Sequence, residues 1–290
     1  MTFPSSSDLL PSESVARSGL RVRQEIYERY SAPQVDYHRW VLSRIEWRGD
    51  ERVLDVDSGG GTYYRALQGM VPPDVSYFGI DISAEQLADH PLRGHLAQAD
   101  AQQLPFASES LDLVMANHML FRVADPQQAI GEFRRVLKPD GLLIAATNSL
   151  HTMPELQALM RRALVLLGAP ARTTQQPPLL PHYRFSLENG TRQLARHFYA
   201  VVRYDLPTML VFPDADPVMT FLESTRELRE PTLPDGIGWD DLMMVMREQI
   251  SALLIHFGEL VISKLSGVLV ASNGGGFIQD FVDRQDGAQN

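Results

Sequence analysis

The stretch Val53–Tyr64, written VLDVDSGGGTYY, decides the fold of this chain. It sets a short apolar run before an acidic, glycine-rich turn, and the turn leads into residues that suit a helix. A buried strand followed by glycines and the start of a helix brings backbone N–H groups close to a ligand. In an open α/β sheet such a loop lies at the carboxyl ends of the strands, where ligands bind. We therefore predict a ligand-binding loop at residues 57–61.

Strand and helix patterns alternate around this loop. The strands are predicted at residues 52–56, 75–82, 95–100, 111–118 and 142–148, with two more at 200–206 and 260–272. Apolar strands separated by helices are typical of a parallel sheet with both faces covered. The sequence Lys138–Gly141, KPDG, predicts a turn before the fifth strand. The fold class is therefore α/β.

Two helix starts carry specific signals. Ser83 stands three residues before Gln86, which is capping-box spacing. Asp125 is a good N-cap directly before Pro126 at the first helical position. Further helical patterns cover residues 15–45, 154–167, 186–198 and 214–257.

The bulk composition excludes several classes of function. The chain has 290 residues, no cysteine and a net charge of −10. Without cysteine there are no disulfides, thiolate nucleophiles or Cys-ligated metals, and we predict no metal site. The negative charge is the wrong sign for a protein that grips a nucleic-acid backbone. The N-terminus lacks the features of a signal peptide and no apolar run reaches membrane-spanning length, so we expect a cytoplasmic protein with neither a nucleic-acid nor a membrane partner.

The acids that follow the strands indicate which ligand the loop holds. A dinucleotide fingerprint would need glycine where Tyr64 stands, and a mononucleotide P-loop would need a lysine that does not follow these glycines. Asp81 ends the second strand, at the usual place for a carboxylate that holds a ribose hydroxyl pair. Asp100 ends the third strand, where it can accept a hydrogen bond from an adenine amino group. An adenosine with a small zwitterionic tail fits this order better than a diphosphate does.

With these motifs in place, residues 53–148 resemble the class I S-adenosylmethionine-dependent methyltransferases. The similarity is to the small-molecule branch that includes the ubiquinone/menaquinone biosynthesis methyltransferases. It is carried by LDVDSGGG (54–61), GIDIS (79–83), QADAQQLPF (98–106) and LDLVMANHMLFRVADPQQAIGEFRRVLKPDGLLIAATN (111–148), in that order. The resemblance implies a Rossmann-like, doubly wound, mostly parallel seven-stranded sheet. It also implies a helical N-terminal lid over 1–47, a cofactor-binding core over 48–150, and the rest of the fold over 151–290, with a helical acceptor-binding insertion at about 207–257.

The resemblance implies S-adenosyl-L-methionine as the cofactor. The glycine loop would hold its methionine moiety, Asp81 its ribose, and Asp100 with Ala101 its adenine. Tyr27, in the N-terminal helical segment, would cover it. The full set of expected cofactor-binding residues is Tyr27, Asp55, Asp57, Ser58, Gly59, Gly61, Asp81, Ile82, Asp100, Ala101 and Asn117.

This chain departs from the family pattern at three places. The family usually has a small polar-Gly-Thr-Gly series where this chain has Ser58–Gly61. Asp57 stands where the family usually has glycine, and Phe121–Val123 replaces a common Tyr-His-Val. A carboxylate at position 57 would repel the carboxylate of the cofactor. Alternatively, it would receive the ammonium group of the cofactor or complement its sulfonium. The residues alone leave both interpretations open.

Methyl transfer from a sulfonium needs mainly proximity and orientation, and a general base helps when the acceptor is a hydroxyl or an amine. His118 and His151 are the candidate bases, because both follow predicted strand ends on the ligand side. The alternative for each is a hydrogen-bonded histidine without a catalytic part. Tyr183 and His182 follow a proline-rich loop at 170–181 and either reach the acceptor or lie on the surface. The methionines of 214–257 either line an apolar acceptor pocket or form helix core.

We therefore predict an S-adenosylmethionine-dependent methyltransferase that acts on a small, partly hydrophobic molecule. The alternative is a protein that binds S-adenosylmethionine or S-adenosylhomocysteine and has lost or redirected its transfer activity, with Asp57 as the mark. A nucleic-acid methyltransferase is disfavoured, because amino-methylating enzymes typically carry Asn/Asp-Pro-Pro-aromatic where this chain reads Asn117-His118-Met119-Leu120. The sequence determines neither the acceptor nor the oligomeric state.

Overall fold

The computed structural model describes residues 13–71, 74–170 and 183–274. Contacts divide the chain into two compact units, each assembled from separate segments. The sheet unit contains residues 36–150, 183–206 and 266–274, and the helical unit contains residues 13–35, 151–170 and 207–265. These units differ from the contiguous segments 1–47, 48–150 and 151–290 expected from the sequence. His182 and residues 171–181 of the proline-rich loop lie outside the described residues.

The described helices are α1 (Glu13–Tyr30), α2 (Tyr37–Leu42), α3 (Thr62–Leu67), α4 (Ala84–Ala88), α5 (Pro126–Val136), α6 (Pro154–Leu166), α7 (Leu187–Leu194), α8 (Ala215–Glu223), α9 (Arg226–Arg229) and α10 (Trp239–Phe257), with a 3₁₀ turn at Glu230–Thr232. The described strands are β1 (Ser31–Ala32), β2 (Arg52–Val56), β3 (Ser76–Asp81), β4 (Leu96–Gln98), β5 (Leu111–Met115), β6 (Leu137–Asn148), β7 (Ala200–Phe212) and β8 (Leu260–Ser272).

The sheet unit is built on strands in the order β7-β8-β6-β5-β2-β3-β4. Strands β2 to β6 run parallel to their neighbours among themselves, and β8 pairs antiparallel with β6. Alternate residues of the central strands enter different cores: Leu54 and Val114 pack on one face, and Val53 and Leu113 on the other. Because both faces are covered, the strands are apolar throughout. The predicted α/β fold with a mostly parallel sheet is confirmed.

The strand count exceeds the expected seven by one. The additional strand is β1, which has two residues and pairs antiparallel with the second half of β7 inside the helical unit, Ser31 opposite Leu210. The apolar core of this unit contains Met219, Met243 and Met246. These methionines are therefore helix core, whereas Met244 is exposed.

Both predicted helix starts are confirmed. The Ser83 side chain accepts the N–H of Gln86 at 3.3 Å. The Asp125 carboxylate accepts the N–H groups of Gln127 and Gln128 at 2.9 and 3.1 Å. These bonds satisfy donors that have no partner within the first helical turn.

The turn predicted at Lys138–Gly141 is wrong. These residues belong to β6, in an irregular stretch where Leu111 and Leu113 of β5 face Leu137 and Leu142. A bulge takes up extra residues without reversing the chain, and it tolerates glycine and proline. Among the described helices, none combines the length and the apolar character needed to cross a membrane.

Candidate cofactor-binding site

The glycine loop joins β2 to α3 at the carboxyl edge of the sheet. Asp57, Gly59 and Gly61 have positive φ angles of 63°, 49° and 78°. At Gly61 a Cβ would lie 2.7 Å from both His90 Nε2 and Pro91 Cδ, so packing requires glycine there. At Gly59 the nearest atom to such a Cβ would be 3.8 Å away. A Cβ would therefore make only ordinary contacts at Gly59, whereas it would clash with the protein at Gly61.

Asp81, at the end of β3, ties this loop to the neighbouring strand. Its carboxylate accepts the N–H of Gly59 at 3.0 Å and the N–H of Ser83 at 2.9 Å. The residue is only 3% exposed. Each oxygen accepts one of these bonds and keeps a further lone pair. Asp81 can therefore accept two more hydrogen bonds from a ligand with adjacent hydroxyl groups.

Ile82 and Asp100 continue the carboxyl edge towards β4. The Ile82 side chain is 66% exposed, and its carbonyl accepts a hydrogen bond from the Gln98 side chain on β4. The Asp100 carboxylate is at the surface and accepts the N–H of Gln102 at 2.8 Å. Ala101 is buried beside it. An exposed aliphatic side chain between two carboxylates suits the flat face and the amino group of a purine.

Three carboxyl groups, those of Asp55, Asp57 and Asp81, influence one another electrostatically. Asp55 is buried and accepts the hydroxyl of Tyr77 at 2.6 Å. Burial raises the pKa of Asp55 to about 7, and the other two acids raise it as well. Burial also raises the pKa of Asp57 to about 6, with Asp81 adding to the rise and the Arg122 guanidinium opposing it. This cluster favours a ligand that brings positive charge.

Two departures from the family pattern, Asp57 and Arg122, form an ion pair with each other. The Arg122 guanidinium donates a hydrogen bond to the Asp57 carboxylate. Asp57 directly follows β2, and Arg122 lies beyond the end of β5, the strand next to it. The side chain of Arg122 is 49% exposed and that of Asp57 26% exposed. The acid at position 57 is therefore countered by a cation of the chain itself.

Asn117 and His118 follow β5. Asn117 Oδ1 accepts the N–H of Ala146 at 3.1 Å, while Asn117 Nδ2 and Ser58 Oγ are buried polar atoms without a hydrogen-bond partner in the part of the chain that the structure describes. Such orphaned atoms are rare in folded proteins and suit a ligand. His118 has a φ of 56°, and its Nε2 lies 3.0 Å from the Tyr37 hydroxyl. Burial raises the pKa of Tyr37, so this hydroxyl stays protonated.

Tyr27 and His151 belong to the helical unit. The Tyr27 ring lies 6.0 Å from the Phe221 ring, with the Lys264 ammonium 4.8 Å above it, and burial raises the pKa of Tyr27 to about 12. His151 is exposed and lines a cleft of about 340 Å³ together with Lys264 and Thr208. The cofactor role of Tyr27 and the catalytic role of His151 stay predictions.

Three residues of this arrangement are missing from the predicted set: Tyr37, Tyr77 and Arg122. Tyr37 and Tyr77 touch predicted residues only because strands and helices bring distant positions together. Arg122 does carry a sequence signal, since it departs from the family pattern with a charge opposite to that of Asp57. Pairing the two departures would have found it.

The chemistry of these residues fits an adenosine with a charged tail. Along the carboxyl edge, Asp100, Asp81, the glycine loop and Asn117 follow the order β4-β3-β2-β5. Within residues 13–71, 74–170 and 183–274, no cluster of three or more His, Asp or Glu side chains is arranged to hold a metal ion. A parallel sheet with a glycine loop after one strand and an acid after the next is the architecture of nucleotide- and nucleoside-binding α/β proteins.

Comparison with known proteins shows which nucleoside-binding α/β proteins this chain is similar to. Residues 54–145 match the model of a family described as a methyltransferase domain. A ubiquinone/menaquinone biosynthesis C-methyltransferase of Citrifermentans bemidjiense is 28% identical over 143 residues, which cover 46% of this chain and 61% of the relative. A malonyl-[acyl-carrier protein] O-methyltransferase of Alcanivorax borkumensis is 31% identical over 143 residues, which cover 47% of this chain and 48% of the relative. The chain thus spans about half the length of these relatives.

The fold is shared with a solved phosphoethanolamine N-methyltransferase 2 of Haemonchus contortus. That structure contains phosphomonomethylethanolamine and S-adenosylhomocysteine. The TM-score is 0.53 at 15% identity, covering 94% of this chain and 61% of the other. Residues 54–145 are thus a methyltransferase domain, similar in sequence to the ubiquinone/menaquinone biosynthesis methyltransferases. S-adenosyl-L-methionine is the cofactor of this class of domain.

Proposed function

We propose that this chain is an S-adenosylmethionine-dependent methyltransferase acting on a small, partly hydrophobic molecule. The observation that best supports this proposal is the position of Asp81. It is a buried acid at a strand end, it holds the glycine loop through the N–H of Gly59, and it keeps lone pairs for a ribose. The match of residues 54–145 to a methyltransferase domain supports the same function.

In this proposal each residue of the carboxyl edge has one task. Asp81 binds the ribose hydroxyls, and Asp100 with Ala101 holds the adenine against Ile82. The Asn117 amide donates its unpartnered hydrogen bond to the ligand. When bound, the cofactor supplies a methyl group on a sulfonium, and an acceptor nucleophile takes up this group by in-line displacement. The carboxyl groups of Asp55, Asp57 and Asp81 favour the positive charge of the sulfonium.

His118 is the candidate for removing a proton from the acceptor. Its Nε2 lies 3.0 Å from the Tyr37 hydroxyl, and this contact orients the ring. A histidine is the side chain whose ordinary pKa best suits proton uptake near neutral pH.

The acceptor class rests on the relatives and on the charge of the chain. One relative is named for ubiquinone and menaquinone biosynthesis and another for malonyl-[acyl-carrier protein]. These names support a metabolic acceptor, and the net charge of −10 argues against nucleic acid. The absence of a membrane partner and the cytoplasmic location stay predictions.

Calorimetric titration with S-adenosylmethionine and S-adenosylhomocysteine tests the proposal. We expect the wild-type chain to bind both. Asp81→Ala should lose about 1.5–3 kcal/mol of binding free energy, because it removes a charged hydrogen-bond acceptor from the ribose. The control is Asp50→Asn, in the same unit, whose carboxylate is 79% exposed. It should bind like the wild type.

Each outcome of this titration has a distinct meaning. If the wild-type chain binds neither ligand, the proposed function is wrong. If Asp81→Ala binds with unchanged affinity, the ribose is not held by Asp81. Tight binding without methyl transfer to any of a broad panel of small acceptors would favour the alternative, a binding protein with lost or redirected activity.

A further inference from the structure

We propose that Asp57 and Arg122 together form a receptor for the zwitterionic amino-acid end of the cofactor, and that this pair decides which adenosine derivatives the site accepts. The inference rests on the proposed function, because it takes S-adenosylmethionine and its product as the ligands. It goes beyond that function in naming two residues that set ligand specificity.

The strand order places the pair where the tail of the ligand must lie. Neighbouring strands are about 4.8 Å apart, so each step along the edge is about half the length of a nucleoside. Asp100 follows β4 and Asp81 follows β3. A nucleoside that spans these two acids continues towards β2 and β5. Asp57 follows β2, and Arg122 lies beyond β5.

The charges of the pair match the charges of an α-amino acid. Such a tail carries one carboxylate and one ammonium group. The Arg122 guanidinium presents five N–H donors in a planar fork, and it contacts Asp57 through one terminal nitrogen. The guanidinium also lies 5.9 Å from the centre of the Phe121 ring, within the range of a cation–π contact. Donors of Arg122 and one oxygen of Asp57 thus remain for the ligand.

A plain surface ion pair does not account for these two residues. Exposed ion pairs typically contribute less than about 1 kcal/mol. Asp57 occupies the left-handed region at a φ of 63°, where glycine is the unstrained choice, and it lies close to the acids Asp55 and Asp81. Aspartate tolerates this backbone better than most residues but gains no stability from it. An acid in such a place suits a contact with a ligand that carries positive charge.

Three thioether ligands that share the adenosine and differ in the chain on sulfur separate the two charges. S-adenosylhomocysteine carries the carboxylate and the ammonium group, decarboxylated S-adenosylhomocysteine carries only the ammonium group, and 5′-methylthioadenosine carries neither. Calorimetry should give the affinity of each ligand for the wild-type chain and for Arg122→Gln, Asp57→Asn and the double variant. Asparagine is chosen at position 57 because it also tolerates a positive φ.

We expect the two variants to lose affinity for different sets of ligands. Arg122→Gln should weaken binding of S-adenosylhomocysteine about tenfold or more, since it removes a charged donor from the carboxylate. It should leave binding of decarboxylated S-adenosylhomocysteine and 5′-methylthioadenosine unaffected. Asp57→Asn should weaken both ligands that carry the ammonium group by a similar factor. It should not change binding of 5′-methylthioadenosine.

The matched control removes an ion pair elsewhere in the chain. Arg247 pairs with Asp216 at 2.7 Å, and its side chain is 52% exposed, close to the exposure of Arg122. Arg247→Gln should bind all three ligands like the wild type. Thermal unfolding of each variant confirms that it is folded before titration. If Arg122→Gln fails to fold, Arg122→Lys replaces it, because lysine keeps the charge but loses the planar fork.

The results distinguish this inference from the proposed function. Wild-type binding of neither S-adenosylhomocysteine nor 5′-methylthioadenosine overturns the proposed function itself. If the wild type binds both and Arg122→Gln binds S-adenosylhomocysteine equally well, only the present inference is overturned. An equal loss of all three ligands in both variants also overturns it, because the pair would then support the loop rather than contact the tail.

Discussion

At the scale of single residues, Asp55 couples ionisation to folding. Its side chain is buried and accepts the Tyr77 hydroxyl at 2.6 Å. Burial raises the pKa of this carboxyl to about 7 from an ordinary value of 3.8, and Asp57 and Asp81 add to the rise. Between these two pH values the folded chain therefore holds a proton that the unfolded chain has released.

The replacement Asp55→Asn should stabilise the chain increasingly as the pH rises. In the wild type, protonated Asp55 stabilises the folded chain at low pH. This contribution is lost progressively between about pH 4 and pH 7, and the free energy of unfolding changes no further from this cause above pH 7. Asparagine cannot ionise but still accepts the Tyr77 hydroxyl. The gain in the free energy of unfolding should grow by about 2–3 kcal/mol between pH 5 and pH 8. Urea unfolding at pH 5, 6, 7 and 8 measures it.

The control for this prediction is Asp50→Asn, which removes an exposed carboxylate from the same unit. Its difference from the wild type should not change with pH. A stability gain of Asp55→Asn that is the same at all four pH values would contradict the buried ionisation of Asp55.

The sequence predicts the places of single residues better than their partners. The motif GIDIS puts Asp81 at the end of a strand, and the structure has it there. Its bond to the Gly59 N–H depends on how β2 and β3 are paired, with Val56 opposite Ile80, and no local pattern encodes this register. The pair of Asp57 and Arg122 is harder still, because 65 residues separate its members.

At the scale of elements, replacing single glycines of the loop shows which of them the packing of the protein requires. Gly61→Ala should lose about 2–4 kcal/mol of stability, because the new Cβ would lie 2.7 Å from His90 and Pro91 at a φ of 78°. Gly60→Ala is the matched control, since the nearest atom to its Cβ would be Asp89 Cβ at 3.9 Å. It should stay within about 0.5 kcal/mol of the wild type. Thermal unfolding measures the stability of both variants. Equal stabilities would contradict the prediction, because they would show that the segment 90–91 can move aside.

Elements with a strong periodic pattern or a cap are predicted well, and those that depend on tertiary pairing are not. The strand at 52–56 and the helix starts at Ser83 and Asp125 agree with the structure. The sequence Lys138–Gly141 has the composition of a turn, yet it lies inside β6, because Leu137 before it and Leu142 after it both pair with β5. Likewise β7 continues past Pro207 to Phe212, where pairing with β1 holds it.

At the scale of the whole molecule, ligand binding should be visible as stability. A ligand that binds only the folded chain adds about 2.7 kcal/mol to the free energy of unfolding at one hundred times its dissociation constant. S-adenosylhomocysteine at that concentration should therefore shift the urea unfolding midpoint of the wild type upwards. The shift should shrink in Asp81→Ala at the same ligand concentration. An equal shift in both chains would mean that the ligand is held elsewhere.

The two compact units are interleaved along the polypeptide. The helical unit takes residues 13–35 from the beginning of the described chain and 207–265 from near its end, so every position from 36 to 206 lies between parts of that unit. A single genetic crossover with a related gene anywhere in this interval joins halves of the helical unit that come from two parents. Such a hybrid must repack a mixed core around Ile26 and Trp239. Inheritance of the helical unit as an intact block would need several simultaneous exchanges, which favours its diversification by point substitution.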